Sequence, residues 1–129
     1  IYVGIDVASY KHDVCIMSYD GEIMERNSES KILKMNKKTS KVINKAKKFF
    51  KNSNVRIGIE STGVYSSTIL NYFSQFKEFE VIFINPVLTN MFQLSQSVHY
   101  AKTDAIDAED ICNYFKIIER NLFVSFIQY

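Results

Sequence analysis

Gly4-Ile5-Asp6 and Gly58-Ile59-Glu60 repeat one short pattern, each closing an apolar, β-branched run with a carboxylate. Such runs read as buried strands, so each pattern delivers an acid to the point where a strand ends. Further acids follow in Lys102-Thr103-Asp104-Ala105-Ile106-Asp107, at the mouth of a helix. Carboxylates gathered from separate elements repel one another. At about 4 Å and an effective dielectric of about 20, each like-charged pair costs roughly 4 kcal/mol. A fold tolerates that if the groups stay apart, if some are protonated, or if a cation lies between them. We read a cation.

Taken singly, each acid has an ordinary explanation. Asp6 could open a turn, Glu60 could cap the helix after it, and Asp104 and Asp107 suit a helix start. Taken as a set they favour a shared ion. The step from Asp104 to Asp107 turns only about 60° around a helix, so both reach one point, whereas Asp110 is turned by about 120°. Ala105 and Ala108 are small enough to let that helix come close to the sheet. Gly4 and Gly58 lie on the same strand face as the acids that follow them and leave space there. A site rich in oxygen donors and without His or Cys suits hard cations, Mg²⁺ or Mn²⁺.

The elements that must position these groups follow from periodicity and turn residues. Ile1–Val7 is a central strand, and Asp13–Tyr19 and Glu22–Asn27 flank the hairpin signal Asp20-Gly21. Thr39–Lys51 is an amphipathic helix: Val42, Ile43, Ala46, Phe49 and Phe50 share one arc, and Lys41, Lys45, Lys47, Lys48 and Lys51 the other. Val55–Glu60 is a second buried strand. Ser61-Thr62-Gly63 turns into a helix with Ile69, Leu70, Phe73 and Phe76 on its apolar face, and Glu80–Ile84 is a further strand closed by Asn85-Pro86. Val87–Leu94 reads as a short helix, Ser95–Lys102 as a polar loop, and Asp104 begins a helix to about Ile118. Strands first and alternation afterwards predict an α/β fold on a mixed sheet, an antiparallel three-stranded meander joined to parallel strands through crossover helices. Sites in such sheets lie beyond the carboxyl ends of the strands, so strands one and four should run parallel and side by side.

Composition bounds the rest. The chain has 129 residues, 47% of them apolar, enough for one domain with a real core. A net charge of +2 hides a strong asymmetry, because nine of the 16 basic residues fall between Lys31 and Lys51, where there is no acid. The remaining seven bases face 14 acids, a balance of −7. Cys15 and Cys112 read as buried thiols of a reducing cytoplasm, and His12 and His99 lack zinc-ligand spacing with them. No apolar run is long enough to cross a bilayer, so no membrane partner is expected. The aromatic end, Asn121–Tyr129, has no stop signal, and we expect a catalytic domain over 1–120 with 121–129 opening a connection to a further domain.

Ile5-Asp6-Val7-Ala8, Glu60-Ser61-Thr62-Gly63-Val64-Tyr65, Asn85-Pro86 and Lys102-Thr103-Asp104-Ala105-Ile106-Asp107-Ala108 together resemble the successive motifs of the DEDD insertion-sequence transposases. That family comprises bridge-RNA-guided recombinases with a resolvase-like amino-terminal domain. The resemblance spans nearly the whole chain in the right order, with Glu-Ser-Thr-Gly and Lys-Thr-Asp-x-x-Asp its more specific parts. It implies a ribonuclease-H-like fold and a DNA transposase or recombinase in a bacterial or archaeal cytoplasm, associated with the nucleoid. It also implies four catalytic, metal-binding acids, Asp6, Glu60, Asp104 and Asp107, with DNA and a guide RNA as partners and homo-oligomeric assembly. In that family the nucleophilic serine belongs to a second domain, to which no segment here corresponds, so the isolated chain should be inactive and Ser61 is not that serine.

Nucleic-acid contacts are expected from Lys102, from the Thr62 and Gly63 amides at a helix start, from Lys11, and from the Lys41, Lys45 and Lys48 arc. The arc equally suits a solvated outer face. Tyr65, Tyr72, Tyr114 and Phe115 fit either an oligomer interface or the core. Rival readings are a stand-alone Holliday-junction-type nuclease, complete at this length, and a non-catalytic assembly or RNA-binding domain. An actin-like sugar kinase or ATPase fragment also opens with Gly-Ile-Asp and a hairpin, but Val7-Ala8-Ser9-Tyr10 lacks its Gly- and Thr-rich phosphate turn.

Overall fold

Val3, Ile5, Ile57 and Ile59 are fully buried, because their strands form the middle of a sheet covered on both faces. Burial on two sides is why these runs are continuously apolar rather than alternating. The computed structural model describes residues 1–7, 11–49, 54–60, 66–84 and 108–128, apart from the side chains of 49 and 120–128. In chain order these form β1 (Tyr2–Asp6), β2 (His12–Met17), β3 (Ile23–Glu29), α1 (Ile32–Phe49), β4 (Val55–Glu60), α2 (Ser66–Ser74), β5 (Phe79–Ile84) and α3 (Ala108–Gln128). The short helix expected at Val87–Leu94 and the loop at Ser95–Lys102 lie outside the described residues.

The sheet has five strands in the order β3-β2-β1-β4-β5. β2 pairs antiparallel with β1 and β3, while β4 pairs parallel with β1 and β5. This is the α/β mixed sheet expected from the element order. The hairpin turns at Ser18–Glu22, where the Gly21 amide donates to the Ser18 carbonyl at 2.9 Å. Gly21 takes a φ of 95°, a left-handed conformation that favours glycine.

α1 and α2 cover one face and α3 the other. The first layer packs Ile43, Ala46, Ile69 and Phe73 against Val3, Ile5, Val14 and Ile57. The second packs Ala108, Ile111, Cys112 and Phe115 against Tyr2, Cys15, Met17 and Ile84. Both cysteines are buried, as expected, and the Cys112 thiol donates to the carbonyls of Cys15 at 3.3 Å and Tyr2 at 3.6 Å.

Two helices differ from the sequence expectation. α1 begins at Ile32 rather than Thr39, because Met35, Asn36 and Thr39 are all buried and extend its inward face by two turns. Two of those three are polar, which weakens the apolar period that marks a helix in sequence. α3 continues to Gln128, ten residues beyond the expected end near Ile118. Lys47, placed by periodicity on the solvent arc, is half-buried with its ammonium 5.8 Å from the centre of the Phe79 ring.

Candidate active site

Asp6 and Glu60 close β1 and β4, and the parallel register pairs them directly. Neighbouring strands lie about 4.8 Å apart, so the two acids leave the sheet as immediate neighbours. Both are half-buried. The parallel, side-by-side pairing of the two strand ends, which the sequence reading required, is present.

Their shared face is fixed by the glycines. Alternation puts Gly4 with Asp6 and Gly58 with Glu60 on the side covered by α3. A Cβ on Gly4 would overlap the Ala108 carbonyl oxygen and lie 2.9 Å from the Ile111 Cβ. A Cβ on Gly58 would lie 2.7 Å from both Ile111 Cγ2 and Ile84 Cδ1. The space beside the acids is therefore occupied by the helix itself. Ala108 sits against Gly4, Phe115 stacks near Tyr2 with ring centres 6.1 Å apart, and Glu119 reaches the Tyr2 hydroxyl and Arg56. α3 thus runs antiparallel to β1, with its first turn at the acid-bearing edge.

A third acid stands in the same row. The antiparallel register sets Asp13 of β2 opposite Asp6, so Asp13, Asp6 and Glu60 occupy consecutive strands at one level. The Ser28 hydroxyl donates to Asp13 from β3. Sequence reasoning missed Asp13 because its face depends on the β1–β2 register, and a slip of one residue turns it to the other side. The alternation Asp13-x-Cys15-x-Met17 shows that these share a face, but not which acid lies opposite.

Beside this row is a cavity of about 300 Å³ whose lining includes Asp13, Cys15, Arg26, Ser28, Ala108 and Glu109. An Arg26–Glu109 ion pair joins β3 to the first turn of α3 next to it. On the opposite sheet face, burial pushes the His12 imidazole below its ordinary pKa, with Asp13 pulling weakly the other way. Hydrogen bonding with Cys15 and burial push the Cys112 thiol up, so it stays a neutral thiol at neutral pH.

Asp104, Asp107, Lys102, Thr62 and Gly63 lie outside the described residues. Among the described residues no three His, Cys, Asp or Glu side chains group closely enough to hold a metal ion. Asp6 and Glu60 present only oxygen donors, which fits a hard divalent cation. Lys11, Lys41, Lys45 and Lys48 are all exposed. Phe115 is 3% exposed and belongs to the core, as one of its two sequence readings allowed. Tyr72 is half-buried, with its hydroxyl 3.2 Å from Ser40 Oγ, and Tyr114 is half-buried. Tyr65 lies outside the described residues.

A five-stranded mixed sheet with paired acids on adjacent parallel strand ends is a ribonuclease-H-like fold. The fold is similar to that of the Fowlpox virus resolvase, solved with Holliday junction DNA, at a TM-score of 0.53 and 12% identity over 92% of this chain and 97% of that one. A putative sugar kinase from Cytophaga hutchinsonii superimposes at a TM-score of 0.44 and 14% identity, over 70% of this chain and 37% of that one, too weakly to bear on the argument. No curated protein matches the chain. The family model for DEDD transposases of the IS110 type, described as a transposase, matches residues 3–127, and the chain belongs to that family. Among the described residues no helix is long and apolar enough to cross a membrane.

Proposed function

We propose that this domain supplies the metal-binding half of a DNA transposase, with Asp6, Glu60, Asp104 and Asp107 holding one or two Mg²⁺ or Mn²⁺ ions against a DNA phosphodiester. The observation that carries this reading is the register pairing of Asp6 with Glu60 on adjacent parallel strands. Asp107 is bonded directly to Ala108, whose carbonyl lies against Gly4, so the motif bearing the last two acids joins α3 at its acid-proximal end. When bound, the ion polarises the scissile phosphate and stabilises the departing oxygen.

The protein groups do the remaining work. The strand-end carboxylates bind and do not shuttle protons, because ionised oxygens beside a cation have little affinity for one. Gly4 and Gly58 hold the α3 start close to the sheet, which keeps the site small. Lys102, Lys11 and the Thr62 and Gly63 amides orient the phosphate chain. The attacking serine comes from a second domain of the same family type, a guide RNA selects the target, and the working particle is a homo-oligomer.

The test is strand cleavage of branched and linear DNA with Mg²⁺ or Mn²⁺, and with chelator, by the chain alone and together with a serine-bearing second domain. Cleavage that requires both the metal and the second domain supports the reading. Robust metal-dependent cutting of branched DNA by this chain alone would favour a stand-alone junction resolvase. Normal cutting by an Asp104→Asn or Glu60→Gln variant would end the metal assignment.

A further inference from the structure

α1, on the sheet face opposite the acids, carries a ridge of lysines. Lys34, Lys37, Lys38, Lys41, Lys45 and Lys48 are all exposed on it. At 100° per residue they fall within an arc of about 100°, and from Lys34 to Lys48 they span about 21 Å along the axis. The opposite arc, with Met35, Thr39, Ile43 and Ala46, is buried against the sheet. Lys47 falls outside the ridge and rests on Phe79 instead.

The ridge is only weakly neutralised. Glu29, at the end of β3, lies 3.7 Å from the Lys34 ammonium and 3.2 Å from that of Lys38. Among the described residues, Lys37, Lys41, Lys45 and Lys48 make no ion pair, and the segment from Lys31 to Lys51 contains no acid. Like charges at helical i, i+3 and i, i+4 spacing destabilise a helix by a few tenths of a kcal/mol per pair. A row of such pairs is a cost to folding that a bound polyanion would relieve.

We infer that the α1 lysine ridge is a docking surface for the sugar-phosphate backbone of double-stranded DNA flanking the cleavage point. Charge and shape favour this occupant. The ridge is evenly spread along the helix and, among the described side chains, holds no aromatic ring, so it suits a duplex backbone rather than unstacked bases. It starts at the functional edge of the sheet, since β3 ends beside His12 and Asp13 and α1 follows after a two-residue link. The choice of DNA rests on the function proposed above, but binding through the ridge needs neither metal nor cleavage.

The experiment is equilibrium binding of the protein to a labelled DNA duplex between 50 and 200 mM salt, in chelator. The combined variant Lys37→Gln, Lys41→Gln, Lys45→Gln, Lys48→Gln should keep or slightly raise its melting temperature, since like-charged neighbours are removed. Its slope of log affinity against log salt should flatten by about 3 to 4, from about 0.9 per phosphate contact. The same positions changed to Arg should keep the slope. Lys77→Gln, an exposed lysine away from the ridge, should leave it unchanged. A folded Gln variant with the original slope overturns the inference, as does a Lys77→Gln effect equal to that of Lys41→Gln, which would mean binding by net charge. A hairpin RNA bound at least tenfold more tightly than the DNA through the same lysines overturns the assignment to DNA. Intact ridge binding with no metal-dependent cleavage even beside a serine-bearing second domain would count against the function proposed above and leave the ridge assignment standing.

Discussion

The two ends of the interface between α3 and the sheet are built on opposite principles. At the amino end of the strands, Tyr2 donates its hydroxyl to Glu119, whose carboxylate also lies 2.7 Å from Arg56, and Arg56 reaches Glu80 at 2.8 Å. Opposite charges interlock, and each partner comes from a different element. At the carboxyl end, Asp6, Glu60 and Asp13 stand in a row with one sign, and two glycines bring the helix as close as a backbone allows. One end holds the layers together. The other gathers repelling groups, an arrangement that lowers stability unless it does something else.

The largest expected effects break the acid end. Asp6→Asn should lower metal-dependent strand cleavage by the complete enzyme by more than about 100-fold. Measured without metal, its melting temperature should stay level or rise by about 3 °C, since a like-charged neighbour is removed. A fall of several degrees would show that Asp6 is structural. Next is the close approach: Gly4→Ala should destabilise by about 1–3 kcal/mol in chemical denaturation, because the new methyl meets the Ala108 backbone rather than a movable side chain. No loss would mean that α3 can retreat freely.

The clamp end should respond in stability and not in chemistry. Glu119→Gln should cost about 1–2 kcal/mol by thermal denaturation and leave cleavage intact. Burial and the Glu119 bond push the Tyr2 phenol above its ordinary pKa, so the folded state holds the proton more tightly than the unfolded chain. That contribution is fully present below about pH 10 and is lost as pH rises above it. A Tyr2→Phe variant should therefore show a flatter alkaline limb in a melting-temperature profile. The smallest effect belongs to Asp13→Asn, which should keep the Ser28 contact and shift stability by under about 1 kcal/mol.

Much of this architecture was readable from residue order. The Gly-Ile-acid echoes marked both central strands, and the crossover helices implied parallel pairing; that β1 and β4 are the neighbours is shown by the register. What escaped was decided by tertiary context. Asp13 joins the row through a register that pattern alone leaves open by one residue. The first two turns of α1 were hidden because Asn36 and Thr39 are buried where a sequence pattern expects apolar groups. The far half of α3 was hidden because an aromatic run without charge periodicity reads equally as strand, interface or helix. Asp104 and Asp107 were legible as a motif, and lie outside the described residues.

α3 is one continuous element of 21 residues, about 31 Å long. Its first turn bears on Gly4, and past Glu119 it extends nine further residues, about 13 Å. A rod seated this tightly has little freedom to slide or bend. Sliding the helix along its axis would drive the Ala108 carbonyl across Gly4, in the strand that ends at Asp6. The Tyr2–Arg56–Glu119 clamp resists that sliding, so the element that covers the acid end is pinned from the opposite end of the sheet.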